Sequence, residues 1–332
     1  MNADPPGLDL ARLSHHLERE GLTSGPLRGE VIHGGKSNLT YVVRDRERTL
    51  VVRRPPLGHV LATAHDMGRE HRVMTALGDT GVPVPVTYHL CQDPDVIGAP
   101  FYVMEYVEGG HPPVTPKISR DLVGVLATLH SIEPDDVGLG DFGRPEGFLE
   151  RQVGRWKRQL DASRSREVPG IDDLFARLAR AVPESGRPAI VHGDFKLGNT
   201  LIADGEVRAV LDWEMSTLGD PLTDLALFLL YGEFAALDSG FAALDGGHDA
   251  EPAESAGSPE PGGSPELAGH YAAVSGRDLS RLGWYIGLAC FKLAVIAEGI
   301  HFRYVKGLTV GEGFAEIGDQ VAPLVARGLM EV

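Results

Sequence analysis

The chain has 332 residues, 42% of them hydrophobic and 23% charged, which excludes a low-complexity chain and is long enough for two lobes rather than one small core. Its 31 Lys and Arg against 47 Asp and Glu leave a net charge of −16, which argues against nucleic acid or an anionic membrane as partner and requires a local positive cluster for any anionic ligand. The two cysteines, Cys91 and Cys290, fall in different predicted elements and argue against a disulfide framework. With no signal-peptide pattern in residues 1–13, the expected location is cytoplasmic.

Residues 8–20 place Leu10, Leu13 and Leu17 at helical spacing and predict a leading helix whose role is packing. Residues 30–33 and 39–44 read as strands joined by a tight turn. The turn holds Gly34, Gly35, Lys36, Ser37 and Asn38, combining glycines that permit close backbone approach with donors suited to phosphate, although a Gly-Gly hairpin alone is an ordinary turn. A third strand over 49–54 ends at Pro55 and Pro56. Alternation puts Val51 and Arg53 on one face, so Arg53 either points inward, where a guanidinium needs an anion, or sits exposed with Arg54 at the strand end.

Residues 62–77 read as a helix with Met67, Met74 and Leu77 on the apolar stripe and Glu70 on that same stripe. Arg53 is the natural cation for an inward Glu70; pairing with Arg69 or Arg72 on the helix surface is the alternative. Strands over 86–91 and 101–107 complete a five-stranded lobe with one helix. The chain leaves it through Gly109 and Gly110, and Glu105, Tyr106 and Val107 suit an interlobe hinge whose backbone groups hold a planar base.

From residue 119 the pattern turns helical. Leu122, Val125, Leu126 and Leu129 mark one helix, and His130 near its end reads as a capping residue. Residues 148–162 put Arg151, Arg155 and Arg158 along one side, as a solvated stripe or a contact for an anionic substrate. Asp220 and Pro221 open a helix over 222–231, with Asp220 and Asp224 in capping and dipole roles. Residues 237–265, rich in Gly, Pro, Ser, Ala and Glu, predict a mobile insertion or a lid. Helices over 279–306 and 310–329 close the chain. The apolar run 284–300, interrupted by Lys292 and Glu298, reads as buried rather than membrane-spanning. Glu298, His301 and Arg303 are its polar residues, bordering a pocket or satisfied in the core.

The chemistry concentrates in residues 190–213, where apolar strand-like runs bracket Asp194, Lys196 and Asn199, and the next run delivers Asp212. Phosphoryl transfer to a hydroxyl needs a carboxylate at the acceptor, oxygen ligands for Mg²⁺ and a cation for the developing charge. Asp194, then Asn199 with Asp212, then Lys196 meet those needs in turn. A metal-dependent phosphohydrolase built on His192, Asp194 and Asp212 and a non-catalytic nucleotide-binding module remain the alternatives.

The pattern His192-Gly193-Asp194-x-x-x-x-Asn199, with Leu211-Asp212-Trp213 and Gly219-Asp220-Pro221, resembles the aminoglycoside phosphotransferase and choline-kinase-like family of the protein-kinase-like fold. It is more specifically similar to the phosphotransferase domain joined to some acyl-CoA dehydrogenases, and the likeness extends to Arg53-Arg54-Pro55-Pro56, Ala64-His65-Asp66, Tyr102-Val103-Met104-Glu105 and Glu298-Gly299-Ile300-His301. The resemblance implies an α+β, bilobal protein-kinase-like fold: an N-terminal nucleotide-binding lobe over 1–105 with a five-stranded antiparallel sheet and a helix, a hinge over 106–110, and a larger, mainly helical catalytic and substrate lobe over 111–332. It implies a Mg²⁺- and ATP-dependent kinase, with GTP left open, acting on a small-molecule hydroxyl such as a hydroxyacyl compound or an aminoglycoside-like acceptor.

By the same resemblance Asp194 matches the catalytic aspartate, Asn199 and Asp212 the Mg²⁺ ligands, Lys196 the lysine two residues past the aspartate, and Glu70 the glutamate that braces the strand cation. Residues 33–38 match the phosphate loop and Glu105, Tyr106 and Val107 the adenine hinge. Arg151, Arg155, Glu298 and His301 are the candidates for the acceptor side. Two positions depart from the pattern: Arg53 stands where kinases generally carry Lys, and the loop lacks a full Gly-x-Gly-x-x-Gly.

Overall fold

The computed structural model describes residues 4–32, 38–58, 66–236, 264–308, 314 and 316–332. Contacts divide the chain into two compact units, Met1–His111 with Thr200–Glu214, and Pro112–Asn199 with Met215–Val332.

In the first unit, Asp9 caps helix α1 (Leu10–Arg19) by accepting from the Arg12 amide at 2.9 Å. Strands β1 (Arg28–Val31), β2 (Leu39–Arg44), β3 (Thr49–Arg54), β4 (Thr87–Cys91) and β5 (Phe101–Glu105) form one antiparallel sheet in the order β1-β2-β3-β5-β4. Strand alternation sends Tyr41, Val43, Leu50, Val52, Phe101 and Val103 into one cluster with Leu13 and Leu17 of α1. Helix α2 (Met67–Leu77) packs on β4 and β5. It starts at Met67, with Asp66 as N-cap accepting from Arg69 N at 3.0 Å; residues 62–65 of the predicted helix lie outside the described residues.

A later hairpin joins this unit. Strands β7 (Thr200–Ala203) and β8 (Glu206–Val210) pair antiparallel, and Gly110 and Ile202 exchange two backbone hydrogen bonds of 3.0 Å. A Cβ at Gly109 would sit 3.0 Å from the Leu201 Cβ, so a residue with no side chain suits this close approach.

The second unit holds α3 (Pro116–Ser131), α4 (Phe148–Ser163), α5 (Ile171–Arg180), the short pair β6 (Ala189–Val191) and β9 (Thr217–Gly219), then α6 (Leu222–Ala236), α7 (Ser264–Ser275), α8 (Leu282–Val305) and α9 (Val321–Glu331). Helix α8 is long and apolar enough to cross a membrane, yet most of it is buried against α4, α5, α6 and α9, as expected of a helix apolar on nearly every side. The predicted insertion over 237–265 falls outside the described residues up to 263, and residues 264 and 265 open α7, a helix the composition did not signal. The predicted helix over 310–329 is instead a 3₁₀ turn (Ile317–Gln320) followed by α9; residues 309–313 and 315 lie outside the described residues.

Candidate functional site

In the first unit, register fixes a charged cluster. Arg53 on β3 stands opposite Tyr102 on β5, and the helical stripe of α2 buries Glu70, leaving it 1% exposed. Glu70 accepts hydrogen bonds from Asn38 Nδ2 and the Tyr102 hydroxyl, both at 2.9 Å, and lies 3.0 Å from Arg53 Nε. Burial raises the Glu70 pKa, and Arg53 and Tyr102 offset that only in part. Arg53 also contacts the carboxylate of Asp212. Burial works against the guanidinium charge, but Tyr102, Glu70, Asp212 and Glu214 together hold its pKa above the ordinary value. Asp212 follows β8 with φ of 63°, in the left-handed region that Asp enters more readily than most residues with a side chain.

The alternative of an exposed strand end is wrong for both arginines. Arg54 is buried and donates to the carbonyls of Gly7 and Ile97 at 2.5 and 2.9 Å. Of the predicted phosphate turn, Gly34, Gly35, Lys36 and Ser37 lie outside the described residues; Asn38 is buried, with its amide given to Glu70 and, at 3.1 Å, to Glu214. At the predicted hinge, Glu105 pairs with Val86, its amide donating to the Val86 carbonyl at 2.8 Å and its carboxylate accepting from the Val86 amide at 3.2 Å. Tyr106 is exposed, with the Arg44 guanidinium 5.9 Å from its ring centre, and Val107 is half-buried.

In the second unit, β6 leads into Gly193, which has φ of 85° and where a Cβ would meet the Met215 carbonyl oxygen at 2.7 Å. Asp224 on α6 holds this turn, accepting from the amides of His192 at 2.6 Å and Gly193 at 2.9 Å. It also faces His130 Nε2 at 3.4 Å, while the Tyr271 hydroxyl lies 2.8 Å from His130 Nδ1. Asp224 can only accept, so Nε2 carries the proton and Tyr271 donates to Nδ1. His130 is therefore a buried link between α3, α6 and α7 and not a cap, and Asp224, an acid in the first turn of α6 as the sequence predicts, also braces the loop.

The Asp194 carboxylate lies 3.3 Å from Lys196 Nζ and accepts from the Tyr231 hydroxyl and Asn199 Nδ2, each at 3.2 Å. Asn199 closes a 3₁₀ turn (Leu197–Asn199) and also donates to the Asp194 carbonyl at 2.8 Å. Lys292 of α8 donates to the Gly193 carbonyl at 2.7 Å. Burial pushes the Asp194 pKa up, but Lys196, Lys292 and His192 outweigh it and hold the carboxyl below its ordinary value, so it is ionised at neutral pH. Burial also pushes Lys292 down, against the pull of Asp194 and Asp224.

The remaining predicted residues are placed as follows. Arg151 is exposed and donates to the carbonyls of Arg144 and Glu146. Arg155 is exposed over the Trp156 ring, 5.2 Å from its centre. Glu298 is fully buried and accepts from the Ser165 amide and hydroxyl and from Arg166 Nε, at 3.0, 2.8 and 3.1 Å. His301 packs on Gly318, and its Nδ1 is buried without a hydrogen-bond partner among the described residues. Lys292, Tyr231 and the bracing role of Asp224 were missed. The one available signal was Lys292 itself, a cation interrupting an apolar run.

A family model described as phosphotransferase enzyme family matches residues 28–256. Acyl-CoA dehydrogenase family member 11 of Rattus norvegicus is 37% identical over 311 residues, which cover 89% of this chain and 39% of that protein; the chain spans about two fifths of that relative's length. A crystal structure from Ralstonia eutropha, described as that of a candidate aminoglycoside phosphotransferase, is 29% identical with a TM-score of 0.82 over 98% of each chain. The ternary complex of streptomycin, ATP and APH(2'')-IIa shares the fold, with a TM-score of 0.56 at 18% identity over 90% of this chain and 91% of that one. The bracketed Asp194-to-Asn199 turn, the Arg53–Glu70 pair on a five-stranded sheet and these matches lead to one assignment: the chain belongs to the phosphotransferase enzyme family.

Proposed function

We propose that the chain is a Mg²⁺- and ATP-dependent kinase that transfers the γ-phosphoryl group to a hydroxyl of a small molecule. The observation that carries this reading is the Asp194 carboxylate, kept ionised and oriented by Lys196, Tyr231 and Asn199. A positioned carboxylate is what an acceptor hydroxyl needs when it gives up its proton. Family membership supports small-molecule phosphotransfer, and the ATP complex of a protein sharing the fold supports a nucleotide donor.

In this account Asp194 orients and deprotonates the acceptor, and Lys196 meets the charge that develops on the phosphoryl group. Asn199 and Asp212 are the metal ligands; an amide and a carboxylate oxygen are the hard donors that suit Mg²⁺. The bound ion would supply charge neutralisation to the nucleotide phosphates. Arg53, set by Glu70, contributes positive charge toward the nucleotide; residues 34–38 serve as the phosphate loop and 105–107 as the base-binding segment of a lobe ending at residue 105. Arg151, Arg155, Glu298 and His301 are proposed for the acceptor side, with 237–265 as a substrate-side insertion. The phosphohydrolase alternative needs His192 as a ligand, yet His192 is fully buried and its Nδ1 accepts from the Asp194 amide at 3.2 Å.

For the acceptor we favour a hydroxylated acyl compound over an amino sugar, because the relative at 37% identity is named for acyl-CoA dehydrogenation. The test is a screen of hydroxyacyl-CoAs, amino sugars, choline and amino alcohols for acceptor-stimulated ADP release. One class should stimulate the wild type and leave Asp194→Ala silent; stimulation that survives in Asp194→Ala overturns the assigned role.

A further inference from the structure

We propose that His16, His89 and Cys91 form a Zn²⁺ site that ties the leading helix α1 to β4, the edge strand of the five-stranded sheet. One ring nitrogen of His16, one of His89 and the Cys91 Sγ all lie within 4.8 Å of one another. The two imidazole nitrogens, from residues 73 positions apart, face each other at 2.9 Å. Two Nε2–H groups cannot point at each other, so at least one nitrogen presents a lone pair, and with both protons on Nδ1 two lone pairs converge. Zinc binds imidazole at about 2.0–2.1 Å and thiolate at about 2.3 Å, so the two nitrogens and one sulfur of a tetrahedral site stand roughly 3.3–3.6 Å apart. The observed imidazole separation of 2.9 Å is about 0.4 Å short of that spacing, so ligation needs the two rings to part slightly.

The surroundings fit a metal as well as the donors do. His89 Nδ1, the nitrogen left over when Nε2 ligates, lies 3.9 Å from the Glu20 carboxylate, a charge contact that favours the proton on Nδ1 without a direct hydrogen bond. The Phe101 ring packs edge-on against both imidazoles, at 5.8 and 6.4 Å between centres, and limits their rotation. Cys91 is buried, and its thiol, 3.7 Å from the Asp93 carbonyl, would release its proton on binding. On the His16 side the cluster borders an open surface cavity of about 400 Å³, lined also by His15, Arg19, Asp93 and Asp95. A cysteine and two histidines gathered from two elements fit a borderline-soft cation such as Zn²⁺ and not Mg²⁺. None of these residues belongs to the proposed phosphoryl-transfer set, so the inference stands apart from that reading.

The test is titration of the purified metal-free chain with Co²⁺, followed by displacement with Zn²⁺, in excess Mg²⁺ so that oxygen-ligand sites are filled. The wild type should take up one equivalent of Co²⁺ with a thiolate-to-cobalt charge-transfer band. The band should vanish in Cys91→Ser and His16→Ala and persist in Cys290→Ser, and Zn²⁺ affinity should fall by about 100-fold in His16→Ala. A wild type without the band, or an unchanged Zn²⁺ affinity in His16→Ala, overturns the site in favour of a plain imidazole–imidazole hydrogen bond beside a buried thiol. Should Cys91→Ser fail to fold, His16→Ala, on a half-buried helix position, decides alone.

Discussion

Lys292 reaches from the buried helix α8 to the Gly193 carbonyl at 2.7 Å, placing a cation against the turn that carries Asp194. Its charge is among those that hold the Asp194 carboxyl down. Lys292→Met should therefore cost about 1.5–3 kcal/mol of charge-assisted bonding, lowering turnover about 10- to 100-fold. Loss of the cation also raises the Asp194 pKa, so the acid limb of the pH–rate profile moves to higher pH. An unmoved acid limb would separate Lys292 from Asp194.

Asp224 satisfies two backbone amides with one carboxylate. Asn in its place offers one acceptor oxygen and turns an NH₂ toward the other amide, leaving a buried donor unmet. Asp224→Asn should lose about 2–3 kcal/mol in urea unfolding and should lower turnover with it, although the residue is not placed against substrate. Wild-type stability in this variant would refute the bracing role.

His130 makes stability depend on pH. Burial holds its folded-state pKa below the ordinary value, and Asp224 only partly compensates. As pH falls below the unfolded value of about 6.5, the unfolded chain binds the proton first, so the stability that neutral His130 contributes is lost on acidification. The unfolding free-energy advantage of the wild type over His130→Asn should shrink between pH 7.5 and 5.5. A constant difference across that range would contradict a buried, neutral imidazole.

Arg53 and Glu70 are a buried pair with a third partner in Asp212. Arg53→Met leaves Glu70 uncompensated and should destabilise by about 3–5 kcal/mol, whereas the double variant Arg53→Met, Glu70→Leu should recover much of that loss. Denaturant unfolding of the four proteins in the cycle measures it; additive losses would mean that the two side chains do not interact.

What the sequence could disclose follows from the range of each signal. Helical spacing alone put Glu70 on the inward stripe of α2, and strand alternation turned Arg53 toward it, because both patterns are local. The five-residue step from Asp194 to Asn199 is legible for the same reason, since one short loop ending in the 3₁₀ turn Leu197–Asn199 spans it. The bond from Asn38 to Glu70 is not legible, because a turn shows its polarity and not its partner, which lies 32 residues away. The sequence shows His130 only as a helix-end residue, Asp224 only as a first-turn acid and Lys292 only as an interruption, because their partners come from other elements, and the packing of α3, α6, α7 and α8 identifies them. Helix α7 was lost beside a Gly- and Pro-rich stretch whose composition masked its start.

The most direct test of the central claim is calorimetric titration of the purified chain with ATP, with and without Mg²⁺. The account predicts saturable one-to-one binding that needs Mg²⁺, persists in Asp194→Ala and is lost in Asp212→Ala. No saturable heat in the wild type, or Mg²⁺-dependent binding undiminished in Asp212→Ala, would contradict it.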